Sequence, residues 1–79
     1  MSEFAKTINA PEFPPHMKHK VIFESFESLQ PGEAMLLVND HDPVPLRYQF
    51  ELEHPGTFTW EYLEQGPQTF RVKIERLAK

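Results

Sequence analysis

Met35-Leu36-Leu37-Val38 is a continuous apolar run held between two stop signals, Pro31-Gly32 before it and Asn39-Asp40 after it. Four residues are too few for an ordinary helix, and unbroken apolarity marks a strand that is central or covered on both faces. We therefore read a strand over Glu33 to Val38. A chain holding such a strand must supply sheet neighbours beside it and a second layer to cover it.

The flanking segments supply both. Phe4 to Ile8 reads as a short first strand. Asn9-Ala10-Pro11-Glu12-Phe13-Pro14-Pro15 then interrupts regular structure, because proline removes a donor and fixes φ. From His16 the spacing of His19, Ile22, Phe23, Phe26 and Leu29 describes one helix face. Pro15 suits the first turn, and Gln30-Pro31-Gly32 ends the helix.

Asp42 to His54 carries two patterns. Tyr48, Phe50 and Leu52 alternate as in a strand. Asp42-Pro43 looks like an N-cap followed by a helix-starting proline, Leu46 and Phe50 keep helical spacing, and His54-Pro55-Gly56 is a helix stop. The reading is helix.

Phe58, Trp60 and Tyr62 alternate with polar residues, as do Phe70, Val72 and Ile74, with Glu64-Gln65-Gly66-Pro67 between them. These are two half-buried antiparallel strands. The expected fold is an α/β (α+β) two-layer sandwich of order βαβαββ. Two helices cover one face of a four-stranded mixed sheet, and the two opening strands run parallel across a right-handed crossover. Whether the last strand lies at an edge, open to pairing with another copy, is undecided by sequence.

Seventy-nine residues make a single domain, read as 1–79, with a small core for which seven Phe, two Tyr and one Trp supply much of the apolar area. The net charge of −4 argues against a general phosphate-backbone binder. The absence of cysteine removes disulfides, thiolate nucleophiles and Cys-ligated zinc. No apolar run reaches membrane-spanning length, and Met1 to Lys6 lacks an apolar signal core. These features lead to the expectation of a cytoplasmic protein without membrane or nucleic-acid partners.

Asn39-Asp40-His41-Asp42-Pro43 with Pro45-Leu46, then Pro55-Gly56, Trp60-Glu61-Tyr62-Leu63, Gly66-Pro67 and Val72-Lys73-Ile74, resemble the bacterial family called domain of unknown function 2249. The resemblance spans nearly the whole chain and implies a TusA/SirA-like βαβαββ sandwich. Sulfur carriers of that fold have a Cys-Pro-x-Pro motif where the first helix begins. Here the region reads Phe13-Pro14-Pro15-His16, with the prolines and without the nucleophile, which excludes persulfide relay. The resemblance further implies hemerythrin-like or cupin-like metalloprotein partners and a link to redox metabolism.

In a βαβα unit both strand-to-helix loops emerge at the carboxyl ends of the strands, where open α/β sheets bind ligands. That edge should gather His16 and His19 from one loop and Asn39, Asp40, His41 and Asp42 from the other, with Arg47 following on the second helix. One reading is a transition-metal site of His16, His19 and His41 with Asp40 or Asp42. Another is a small anionic or organic ligand at the paired helix ends, held by Asn39, Asp40, His41, Asp42 and Arg47.

Plainer roles compete. Asp42 serves as an N-cap, Asn39 or Asp40 closes an Asx-turn, His19 borders the apolar helix face, and Arg47 pairs with a neighbouring acid. His54 reads as a C-terminal or solvent residue of its helix. Trp60-Glu61-Tyr62 reads as sheet face, and Arg71, Lys73 and Arg76 as a solvated face. His41 is the residue that structural work explains least. The leading function is a small binding or interaction module. The alternative is an enzyme using His41 as general base held by Asp40 or Asp42, and no nucleophile motif accompanies it.

Overall fold

The computed structural model describes residues 4–77. The residues at positions 1–3, part of the leader reading, lie outside that range. The strands are β1 (Lys6–Asn9), β2 (Ala34–Asn39), β3 (Phe58–Gln65) and β4 (Phe70–Arg76), with helices α1 (Pro15–Glu27) and α2 (Val44–Glu53). A single 3-10 turn, Ala10–Glu12, joins β1 to the proline segment. No helix among the described residues is long and apolar enough to cross a membrane.

The sheet order is β1-β2-β4-β3. β1 runs parallel to β2, as the βαβ reading requires, and β4 is antiparallel to both β2 and β3. The apolar run thus lies in an interior strand. β4 is interior too, so the edges fall to the four-residue β1 and to β3.

Register explains the layering. Leu37 lies opposite Val72 and Met35 opposite Ile74, and all four are fully buried. Trp60 and Tyr62 continue this covered face as the partners of Ile74 and Val72 on β3. Both helices pack onto it. α1 contributes Ile22, Phe23 and Phe26, and α2 contributes Leu46 and Phe50. Phe50, without exposure, stacks on Phe23 at 4.4 Å and meets Phe26 edge-on at 5.1 Å. Phe58 and Trp60 close the cluster from β3, 5.3 and 5.8 Å from Phe50. Trp60 and Tyr62 are therefore sheet-face residues.

Two glycines take conformations that other residues resist. Gly32 (φ 90°) turns the chain into β2. Gly66 (φ 67°) forms the β3–β4 turn, where a Cβ would stand 2.9 Å from the Phe70 ring.

Two surface readings need correction. His54 does stand at the C-terminus of α2, as its C-cap, but it is not a simple solvent residue: its ring lies among Phe23, Phe26 and Phe50, and its Nε2 lies 3.3 Å from Glu27 Oε2 outside hydrogen-bonding geometry. Nor does Arg76 belong to the solvated face. Its guanidinium donates to the backbone carbonyls of Glu27 and Leu29 at the end of α1, while Arg71 stays outside and pairs with Glu64 at 3.4 Å.

Candidate functional site

β1 and β2 are parallel neighbours, so the segments leaving them rise from the same sheet edge. An open cleft of about 90 Å³ lies there, lined by Ala10, Ile22, Pro43, Pro45 and Leu46 as its apolar part and by Lys18, His19, Asn39 and His41 as its polar part. Sequence reasoning did not single out Lys18, which lines the cleft. The available signal was its position next to His19 in the first turns of the helix that follows β1.

Three residues of the polar run do separate work. Asn39 is buried, and its Oδ1 accepts the Asp40 N–H at 2.9 Å, a bond to the next residue rather than an Asx-turn. Asp40 Oδ1 lies 2.7 Å from His41 Nδ1. With Asp40 ionised, Nδ1 carries the proton and Nε2 of a neutral imidazole is left as acceptor. The same hydrogen bond holds the Asp40 carboxyl below its ordinary range, and the charge of Lys18 adds to the effect. Both side chains are more than three-fifths exposed, so the pair orients the ring and contributes little to stability.

Asp42 does not cap α2. The N-cap is Pro43, no side chain caps the helix, and Pro45 rather than Pro43 stands in its first turn. The Asp42 carboxylate instead accepts the Tyr62 hydroxyl at 2.5 Å, tying the β2–α2 loop to β3 across the sheet. The Asp42 backbone carbonyl meanwhile accepts the Val44 N–H at 2.9 Å. The charge-assisted bond to the half-buried Tyr62 hydroxyl takes the carboxylate away from the helix start.

Burial raises the pKa of Tyr62 above that of free tyrosine, and donation to Asp42 adds to the rise. Its folded-state value therefore exceeds the unfolded one. The stabilisation is complete below about pH 10 and is lost as pH rises through the folded value. Tyr62→Phe should cost about 1 kcal/mol at neutral pH. It should also flatten the alkaline fall in stability, so that the difference between wild type and variant shrinks above pH 10 in denaturant titrations. A constant difference across that range would contradict the latch.

The three-histidine arrangement is not formed. His19 lines the cleft and meets Phe23 edge-on at 6.3 Å, whereas His16 is exposed and does not line the cleft. Among the described residues no three His, Cys, Asp or Glu side chains stand together in a way that could hold a metal ion. Of the three histidines only His19 and His41 line the cleft, and His16 is outside it. Arg47 also stays out of the cleft, with its Nε 3.6 Å from Glu51 Oε1 one turn along α2.

Residues 7–76 match a family described as uncharacterized conserved protein (DUF2249). The chain belongs to that family. No curated protein and no solved structure gives a significant match to this DUF2249 domain. Its cleft, its His41–Asp40 pair and its Tyr62–Asp42 latch all fall inside the matched span.

Proposed function

We propose that this DUF2249 domain is a binding module whose cleft takes a small anionic ligand, such as a short carboxylate or an inorganic oxyanion. The observation carrying the reading is the convergence of Lys18 and His19 from α1 with His41 from the β2–α2 loop over one apolar floor. Lysine supplies a fixed positive charge, His19 can donate a ring N–H, and His41, whose Nδ1 is held by Asp40, offers an Nε2–H donor in its protonated, cationic form. The apolar part suits a ligand body of only a few non-hydrogen atoms, given the cleft's size.

The test is amide and imidazole NMR shift mapping with acetate, small dicarboxylates and inorganic phosphate, with chloride as control. Saturable shifts should centre on Lys18, His19 and His41. Lys18→Ala and His41→Ala should each weaken binding about tenfold, the loss of one charge-assisted hydrogen bond. Non-saturating shifts, or affinities unchanged in both variants, would overturn the reading.

The second reading, an enzyme, is favoured by the His41–Asp40 hydrogen bond, which leaves Nε2 as the proton-accepting atom of the neutral ring. An aspartate holding the distal nitrogen is a common way to orient a general base. The two readings separate on Asp40→Asn. A general base would lose turnover in a hydrolase substrate screen, whereas anion binding would hold or tighten, since a negative charge leaves the rim.

A further inference from the structure

α2 is apolar on two faces. Leu46 and Phe50 point into the core, while Val44, Tyr48 and Leu52 are 39%, 62% and 77% exposed. The exposed three follow at i, i+4 and i+8, so they form one continuous ridge on the helix surface. Tyr48 lies close to 180° around the helix from the core-facing pair at 100° per residue. Such a row on the solvent side of a 79-residue domain is not required by its own core.

We infer that this ridge pairs with its counterpart on a second copy of the chain, forming a weak two-fold dimer in which the two α2 helices run antiparallel. The choice of occupant rests on the charges beside the ridge. Arg47 and Glu51 occupy one flank, four residues apart, and the other flank carries Pro45, Gln49 and, at the helix end, Glu53, whose carboxylate accepts from Gln49. A two-fold axis at Tyr48 and perpendicular to the helices brings like flanks together with reversed order. Arg47 then falls within about 3 Å, along the axis, of the partner's Glu51, and Glu51 does the same with the partner's Arg47. The flank is self-complementary in that arrangement.

A parallel pair would set unlike flanks together and bring Glu51 within about 3 Å, along the helix, of the partner's Glu53, a like-charge approach. The same axis places Val44 level with the partner's Leu52, the smaller apolar side chain against the larger. Ridges of i±4 spacing pack with the helices crossing at roughly 50°. Three apolar side chains cover well under the roughly 800 Å² per partner of a standard interface, so the dimer is transient.

Sedimentation velocity and NMR translational diffusion from about 10 µM to 1 mM, the range in which small transient interfaces become populated, test this directly. A reversible monomer–dimer equilibrium is expected. Leu52→Glu should weaken it at least tenfold. All the substituted side chains are on the surface, so folding is checked by circular dichroism and should be unchanged. Arg47→Glu or Glu51→Arg alone should weaken dimerisation several-fold, and the double exchange Arg47→Glu with Glu51→Arg should restore it. A monomer throughout the range, or a dimer indifferent to Leu52→Glu, overturns the inference. Failure of the double exchange to restore pairing overturns the antiparallel arrangement.

Discussion

Phe50→Ala is expected to cost about 3–5 kcal/mol, the range for a fully buried phenylalanine whose neighbours cannot collapse into the space. Phe50 is without exposure and meets aromatic rings from α1 and β3: Phe23 and Phe26 on α1, Phe58 and Trp60 on β3. Its removal leaves a cavity lined by flat, rigid side chains that repack poorly. A chain of 79 residues has a total stability of about 4–12 kcal/mol, so the variant should be largely unfolded or close to it at 37 °C. Phe50→Leu should lose much less, because an apolar side chain still fills most of the site. Urea denaturation followed by circular dichroism and by Trp60 fluorescence checks both. A Phe50→Ala midpoint close to wild type would show that the cluster relaxes freely and is not the keystone of the core.

Arg76→Ala is expected to cost about 2 kcal/mol. The last carbonyls of a helix have no partners within it. The last carbonyl of α1, Glu27 O, and that of Leu29, just past the Ser28 C-cap, accept from Arg76 Nη1 at 2.9 and 2.7 Å. The guanidinium also places a positive charge at the negative end of the helix. Amide exchange should quicken over the last turn of α1 before it changes in the sheet. Arg76→Lys should recover only part of the loss, since one compact ammonium on a flexible stem bridges two carbonyls less well than a planar guanidinium. An unchanged midpoint in Arg76→Ala would assign the capping to solvent.

The site was legible to a limited depth. The His-Asp pair and the sheet edge it occupies follow from the order of elements, since a βαβα sequence delivers both loops to one end. The partner of each acid did not follow. Asp42 before proline has the local form of an N-cap, and only the approach of Tyr62 from a strand twenty residues away redirected it. His16 and His19 share helical spacing, but only His19 lines the cleft, so the spacing did not bring three ligands together. α2 itself was ambiguous for a physical reason. Its strand-like alternation at Tyr48, Phe50 and Leu52 is the overlap of two helical rows, one facing the core and one facing water.

The sequence by itself determined the periodicities, and with them the element types, the parallel opening pair and the two-layer arrangement. These depend on local spacing and on stop signals such as Pro31-Gly32, which act within a few residues. Only the tertiary structure decided that β4 lies between β2 and β3, that Arg76 closes α1, and that Tyr62 holds Asp42. Each joins groups far apart in the chain, whose partners are selected by competition among all the polar groups that packing brings within reach.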